Sequence, residues 1–435
     1  MASKLLKKVR GRPNLEASWH VIRENGRTSK SATVKREIEQ FHDDATRNVE
    51  RLYRRLQRDE FQFPKAKGIP LPKGMNADGS KKSGIRPIVL ASVESRIVQR
   101  AILNVLTDLP ALEPYILNPH SFGGMRKMEK RPQSAVPAAI QATLDAIGAG
   151  ARYAMCADIS GFFTRISKSA VSEIVAKATG DAEFMRFFQD AIRVELSNMA
   201  ELRELATQFP IEDIGVAQGN SLSPLLGNML LHEFDKQMNA GDCQCKRYID
   251  DFVALGPTAA SVSGRMRMAR RLLGAHGMEL SPSKSSIEPI CIEDGAVEFL
   301  GIELVNGLIR PSKKAQQRLL TSIETEFRNS QQAFEVCRQQ GRMDRSLSLI
   351  ATLRRADGIA RGWGRHYRFC NDEALFAWLD DRIGDLIRAY IGCYAATRER
   401  TSDRNRRALL GVEQLRLMER TPFTWPKLAK VLEAA

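Results

Sequence analysis

The sequence has little that would mark a secreted or membrane-spanning protein. Its seven cysteines among 435 residues are odd in number and scattered, so no disulfide framework is expected. No apolar run reaches the roughly 18 uncharged residues that a membrane-spanning helix needs. The basic N-terminus lacks the apolar core of a signal peptide. Together these absences predict a cytoplasmic protein that makes no membrane contact.

Low-complexity tracts and internal repeats are also missing. Hydrophobic residues make up 43% of the chain and charged residues 27%, the balance of a folded protein, which excludes disordered, collagen-like and fibrous classes. At about 100–200 residues per domain, the length predicts two to four structural units.

Positive charge is concentrated at the two ends of the sequence. The net charge of +15 divides into +6 for residues 1–60, +1 for 61–310 and +8 for 311–435. A pI near 9.6 is typical of proteins that bind nucleic acid. A solvated basic surface is the alternative explanation.

Hydrophobic spacing changes along the chain. Residues 1–60 have helical spacing, and 31–56 place apolar residues three or four apart. Residues 61–84 are rich in Pro, Gly and Lys, and 85–90 form a short apolar run. Strand-like and helix-like segments then alternate to about residue 310. From Pro311 onward the spacing is helical again.

Two acidic segments suggest a metal site. Asp250 and Asp251 follow Tyr248-Ile249 and precede an apolar stretch, and Asp158 ends the apolar run 153–157. Acidic residues are poor strand formers, so a hairpin tip would accommodate the pair. Carboxylates at two strand ends can also hold two metal ions about 3.5–4 Å apart, as nucleotidyl transfer requires. A solvated hairpin turn is the alternative.

A third segment, 215–226, combines glycines with small polar residues. Ser221 and Ser223 are suited to cap the helix that follows, with Pro224 in its first turn. An ordinary loop-to-helix junction explains the same pattern.

Taken in order, seven segments resemble the reverse transcriptase family, in its bacterial branch of group II intron, retron and defence-associated (unknown-group) enzymes. They are IRPIVLASVESRIVQRAIL (85–103), NPHSFGGMR (118–126), CADISGFFTRI (156–166), GVAQGNSLSPLLGNMLL (215–231), YIDDFVAL (248–255), GMELSPSKSSI (277–287) and FLGIEL (299–304).

The resemblance implies an RNA-directed DNA polymerase, a nucleotidyltransferase, with an α+β right-hand fold. The expected parts are an N-terminal helical basic region (1–60), fingers (61–150), an antiparallel-sheet palm with the catalytic carboxylates (151–310) and a helical thumb that binds RNA (311–435). The segment 359–367 resembles the Gly-Trp…Tyr segment of intron-type thumbs, although Trp363 also fits a helical core.

Catalytic roles follow from the resemblance by position. Asp158 and Asp250 resemble the two metal-bridging carboxylates, Asp251 resembles their weaker neighbour, and Ile159 belongs to the same metal site. Two Mg²⁺ ions are implied, with Mn²⁺ as an alternative. Lys284 resembles the lysine near the pyrophosphate that acts as general acid; a solvated lysine is the alternative.

Nucleotide and primer contacts follow in the same way. Phe163 takes the place of the ribose gate, although without the resemblance a core aromatic is the preferred interpretation. The remaining implied residues are Lys82 and Arg86 for the triphosphate, Gln218 and Gly219 for the nucleotide pocket, and Phe299, Leu300 and Gly301 for the primer grip.

Some residues depart from the family pattern. Ile249 replaces a usual alanine, and Thr164-Arg165 stands where many group II enzymes have Asp-Asn. No Cys/His-rich endonuclease tail is expected. The pair Cys243 and Cys245 has no partner pair or nearby His and is interpreted as incidental.

The stand-alone length and the expected lack of accessory nuclease domains favour a stand-alone antiphage-defence enzyme that copies a dedicated structured non-coding RNA into cDNA from dNTPs. A basic helix with Arg51, Arg54, Arg55 and Arg58 would help to hold that RNA. The alternatives are a truncated group II intron-type maturase and an RNA-binding scaffold with an inactive polymerase fold. The sequence leaves the oligomeric state and the primer open.

Overall fold

The computed structural model describes residues 3–29, 31–74, 84–124, 135–413, 415 and 418–425. The chain forms two compact units, Met1–Leu300 and Gly301–Ala435. Across these described ranges, no helix has the length and apolar character needed to cross a membrane. All seven cysteines are free thiols.

Helices build the first part of unit 1, as the spacing predicted. They are α1 (Lys4–Val9), α2 (Arg12–Arg27), α3 (Ala32–His42) and α4 (Ala45–Gln57). The apolar spacing of 31–56 continues without interruption, so it did not reveal that the helix breaks between α3 and α4. There the Asn48 side chain donates to the Phe41 carbonyl (3.0 Å), which satisfies a carbonyl at the end of α3.

The other helices of unit 1 lie between and after its strands. They are α5 (Val93–Thr107), α6 (Glu113–Ile116), α7 (Val136–Gly148), α8 (Lys168–Thr179), α9 (Ala182–Ile192), α10 (Met199–Leu202), α11 (Ser223–Leu230), α12 (His232–Met238) and α13 (Ala259–Gly274).

Unit 1 contains two antiparallel arrangements. A hairpin joins β1 (Lys67–Pro72) to β2 (Ile85–Leu90). A four-stranded sheet has the order β4-β5-β3-β6, and each strand pair in it is antiparallel. The strands of this sheet are β3 (Tyr153–Asp158), β4 (Gln244–Tyr248), β5 (Asp251–Gly256) and β6 (Ile290–Cys291). A further strand of unit 1, β7 (Val297–Phe299), is not part of it.

One hydrophobic core connects the N-terminal helices to this sheet. Leu52 of α4, Ile97 of α5, Leu226 of α11 and Phe252 of β5 belong to it, and each is completely buried. Burying such a side chain contributes about 1.5–3 kcal/mol. The sheet is therefore supported by the same apolar contacts that hold the N-terminal helices.

The helix after the 215–226 loop begins differently from the prediction. The N-cap position of α11 is Leu222, with no side-chain cap, so capping by Ser221 or Ser223 is wrong. The Ser223 hydroxyl instead donates to the Ala217 carbonyl (2.8 Å), because it is buried and must find a partner. Pro224 does lie in the first turn.

Unit 2 is mainly helical, in agreement with the spacing after Pro311. It contains a hairpin of β8 (Ile302–Val305) and β9 (Leu308–Pro311), and the helices α14 (Lys313–Gln340), α15 (Leu349–His366), α16 (Glu373–Glu399) and α17 (Asp403–Leu410).

Aromatic stacking organises the core of unit 2. The Tyr390 ring stacks on Phe327 at 4.4 Å between centroids, and its hydroxyl lies 2.7 Å from the Ser330 hydroxyl. Trp363 packs against this core and contacts Tyr367 at 4.5 Å between centroids. The core interpretation of Trp363 therefore agrees with its packing.

Candidate active site

A cleft of about 1160 Å³ lies within unit 1, next to the end of β3. It brings together most of the residues that the sequence predicted. These are Arg86, Asp158, Ile159, Phe163, Gln218, Gly219, Asp250 and Lys284.

Five predicted positions are not among the described residues that line this cleft: Lys82, Asp251, Phe299, Leu300 and Gly301. Lys82 lies outside the described residues. Among the described residues, the lining includes neither Phe299, the buried last residue of β7, nor Leu300. Gly301 is the first residue of unit 2. The predicted primer grip therefore stays a prediction.

The antiparallel register places the acidic residues side by side. Asp158, the last residue of β3, lies directly opposite Asp251, the first residue of β5. Asp250 lies in the two-residue turn between β4 and β5, so the expected hairpin tip is confirmed. The Ile159 amide donates to the Asp250 carbonyl (2.9 Å), which ties this turn to the end of β3.

Burial and mutual repulsion act on these carboxyls together. Burial raises the pKa of Asp250, and the negative charge of Asp158 raises it further. For Asp251, burial and the charges of Asp250 and Asp158 raise the pKa to about 7. A cation placed among the three would relieve this repulsion.

Lys284 supplies one such cation from a neighbouring segment. Its Nζ lies 2.7 Å from Asp158 Oδ1. The segment 281–286 runs along β3, where the Ser281 amide donates to the Asp158 carbonyl (2.7 Å) and the Ser286 amide to the Cys156 carbonyl (2.8 Å). Lys284 is therefore ion-paired in the cleft and is not a free surface lysine.

The donor set fits a divalent metal that arrives with its substrate. In the described part of the chain, no three His, Cys, Asp or Glu side chains are grouped closely enough to hold a metal alone. Mg²⁺ is commonly held by one or two carboxylates together with waters and substrate phosphates. Asp158 and Asp250 offer such oxygens, and the Lys284 ammonium occupies one cation position on Asp158.

One side of the cleft is formed by β2 and the 215–226 loop. The Val89 amide of β2 donates to the Gln218 carbonyl (3.2 Å), so this loop is tied to the strand that carries Arg86. Gly219 has φ of 106°, a conformation that favours glycine.

The two adjacent phenylalanines face different surroundings. Phe162 is 3% exposed and packs so closely on α11 that a Cβ at Gly227 would lie 2.6 Å from its ring. Phe163 is half-buried; it packs against the core and lines the cleft. Phe162 is thus the fully buried core aromatic, and Phe163 is open to a ligand in the cleft.

Sequence reasoning missed the polar side chains beneath the Asp250 turn. Arg247, Asp235 and Asn228 are almost completely buried, and Arg247 donates hydrogen bonds to both of the others. The available signal was the charged pair Lys246-Arg247 inside a strand-forming stretch.

Antiparallel palm strands, a carboxylate cluster and a flanking glycine-containing loop define the right-hand polymerase class. Residues 71–304, more than half of the chain, match the family described as reverse transcriptase (RNA-dependent DNA polymerase). The chain belongs to the reverse transcriptase family, and its enzyme class is RNA-directed DNA polymerase. The family and the fold class expected from the sequence are confirmed.

Three relatives illustrate how far the similarity extends. Protein YkfC of Escherichia coli (strain K12) is 24% identical, over 59% of this chain and 72% of YkfC. An uncharacterized 91 kDa protein in a cob intron of Schizosaccharomyces pombe is 24% identical, over 56% of this chain and 26% of that protein. A chain of a partial Cas6-RT-Cas1–Cas2 complex is 15% identical, over 63% of this chain and 43% of its own length, with a TM-score of 0.33. This chain thus spans only part of the last two relatives.

The raised pKa of Asp251 predicts a pH effect on stability. The folded protein without divalent metal binds this proton more tightly than the unfolded chain does. The stability that depends on Asp251 therefore falls as pH rises from 3.8, its ordinary pKa, to about 7. We expect Asp251→Asn and the wild type to have similar melting temperatures near pH 4. Above pH 7, the variant should have the higher melting temperature.

Thermal unfolding in a chelator across this pH range checks the expectation. The exposed Asp294 provides the matched control, Asp294→Asn. A difference in melting temperature between Asp251→Asn and wild type that stays constant with pH would contradict it.

Proposed function

We propose that the protein copies an RNA template into DNA by two-metal nucleotidyl transfer, with Asp158, Asp250 and Asp251 at the reaction centre. The observation that supports this most directly is the meeting of these carboxylates at the ends of β3 and β5. Two of them, Asp158 and Asp250, line the same cleft as Arg86 and Gln218.

Each side chain has a role that its position suits. Bound Mg²⁺, with Mn²⁺ as an alternative, would activate the primer 3′-hydroxyl and neutralise charge on the leaving pyrophosphate. Asp158 and Asp250, with the Ile159 carbonyl, would hold the metal ions, and Asp251 would support them. Arg86 binds the triphosphate by charge-assisted hydrogen bonds, and Gln218 and Gly219 line the sugar and base.

Lys284 acts in two states in this proposal. Before substrate binds, its ammonium pairs with Asp158 and offsets the carboxylate repulsion. When metal and nucleotide bind, the ammonium is free to turn toward the pyrophosphate and to transfer a proton to it as the P–O bond breaks. Its half-exposed side chain, 51% accessible, leaves room for that movement.

Removing the carboxylates of Asp250 and Asp251 should abolish nucleotide incorporation but leave substrate binding intact. We expect Asp250→Ala with Asp251→Ala to reduce primer extension by several orders of magnitude, because these groups act on the transition state. Folding and RNA affinity should be kept, as circular dichroism and filter binding would measure. Extension by the double variant at the wild-type rate would disprove the site assignment.

The Phe163 ring is proposed to exclude a ribose 2′-hydroxyl. Phe163→Val should therefore raise incorporation of ribonucleotides relative to deoxynucleotides in competition assays. The adjacent Phe162→Val is the matched control, since its ring is buried in the core and should affect stability and leave selectivity unchanged. An unchanged selectivity ratio for Phe163→Val would assign the ring to packing alone.

For the biological role, we propose an antiphage-defence enzyme that copies a dedicated structured non-coding RNA in the cytoplasm. The observation in its favour is the basic charge of 1–60 and 311–435 around a nearly neutral centre. A truncated intron maturase would instead have its gene inside a ribozyme, which flanking DNA would reveal. Sequencing the nucleic acid that copurifies with the protein separates these roles.

The arginine face of α4 contributes less to RNA binding than its charge suggests. Arg54 lies 2.8 Å from Glu50, and Arg55 lies 2.7 Å from Glu94. Arg51 is 3.9 Å from the same Glu94. Two glutamates therefore compensate much of this charge.

A salt titration tests this reduced contribution. Four free phosphate contacts would change the log–log salt slope by roughly 3. We expect replacement of Arg51, Arg54, Arg55 and Arg58 by Gln to change it by less than half of that in filter binding of the copurified RNA. Primer extension on a short generic template is the control and should survive. A slope change near 3 would contradict this expectation. It would mean that the arginines leave their glutamate partners to bind phosphate.

A further inference from the structure

A fully buried ion pair lies directly beneath the turn that carries Asp250. Arg247 is 0% exposed and Asp235 is 1% exposed. The guanidinium donates two parallel hydrogen bonds, Nε to Oδ1 at 2.7 Å and Nη2 to Oδ2 at 2.6 Å. A buried pair of this kind is tolerated only where its other donors and acceptors are also satisfied.

The remaining guanidinium nitrogen reaches the turn itself. Arg247 Nη1 donates to the carbonyl of Ile249 (2.9 Å), the residue immediately before Asp250, and to Asn228 Oδ1 (3.1 Å). The Asn118 amide donates to Asp235 Oδ2 (2.7 Å), and the Ser121 hydroxyl to Asn228 Oδ1 (3.0 Å). The network thus connects α11, α12 and the segment 118–121 to one backbone carbonyl of the turn.

That turn has a backbone conformation that its sequence does not favour. Ile249 has φ of 61°, in the left-handed region, where a β-branched residue is rare and strained. Gly123 lies against it so closely that a Cβ there would be 2.5 Å from Ile249 Cγ1. Such a conformation persists only where surrounding groups hold it.

We propose that Arg247, oriented by Asp235, is a positioning residue that holds the strained Ile249 carbonyl and thereby sets the place of Asp250. The inference rests on the proposed function for its effect on catalysis. Its structural part, the immobilisation of the turn, does not depend on activity. Arg247 makes no contact with substrate in this scheme; it acts through the backbone of the turn.

The informative variant is Arg247→Lys. It keeps a buried positive charge near Asp235 but lacks the planar fork that reaches two partners at once. A displacement of the reacting groups by about 1 Å can cost on the order of 100-fold in rate. We expect single-turnover incorporation to fall about 10- to 100-fold at saturating dNTP, with little change in dNTP or primer–template affinity.

Arg265→Lys is the matched control. Arg265 is also a largely buried arginine, and its Nη1 donates to the Gln237 carbonyl (2.8 Å) at the end of α12, away from the turn. It should have near wild-type incorporation. A loss equal in both variants, or a loss that follows melting temperature alone, would overturn the proposal.

A glycine at the strained position provides a rescue test. Ile249→Gly removes the conformational strain, since glycine adopts positive φ readily. In that background, Arg247→Lys should lose several-fold less activity than it does beside Ile249, which a double-mutant cycle measures. Equal losses in the two backgrounds would overturn the proposed coupling between Arg247 and the strained residue.

Hydrogen exchange tests the structural part without activity. The Ile159 amide donates to the Asp250 carbonyl, so its exchange reports the position of the turn. Arg247→Lys should speed exchange at Ile159 and in residues 248–252, whereas Arg265→Lys should not. Wild-type exchange in Arg247→Lys would overturn the proposal. A wild-type protein that incorporates no deoxynucleotide would instead refute the proposed function, and the exchange result would still decide the positioning role.

Discussion

The mutual repulsion of three carboxylates at one edge of the palm sheet is the constraint on which the site depends. Burial and like charge raise the pKa of Asp250 and Asp251, which means that folding disfavours the ionised form of these carboxyls. Compensation comes from Lys284 within the described structure and is completed by metal ions in the proposed reaction. The concentrated negative charge that destabilises the cluster is therefore also what gives it affinity for cations.

The antiparallel register makes this arrangement possible. Asp158 and Asp251 are directly opposed, and a slip of one residue between β3 and β5 would turn one of them to the other face of the sheet. The register is supported by the apolar residues that alternate with them, among them the buried Ala157 and Phe252. Hydrophobic packing thus determines where the carboxylates lie, although it takes no part in the chemistry.

Positive charges at the cleft and on α4, the helix proposed to contact RNA, both have carboxylate partners within the fold. At the cleft, single charges such as Lys284 lie within hydrogen-bonding distance of a partner. On α4, Arg54 lies 2.8 Å from Glu50 and the partly buried Arg55 lies 2.7 Å from Glu94, so each already has an acidic partner in the fold. Net charge by region therefore overstates the number of arginines that are free to meet phosphate.

The sequence by itself determined the elements whose causes are local. Helical spacing predicted the helices of 1–60 and of unit 2, and the acidic pair between strand-forming stretches predicted the hairpin tip. The ordered segments identified the family. Tertiary structure alone decided that Ser223 bonds to Ala217, that α4 is paired with Glu94, and that Arg247 holds the Ile249 carbonyl. These outcomes depend on burial, or on partners brought close by folding rather than by the local pattern, and spacing and propensity carry no information about which buried polar group will meet which partner.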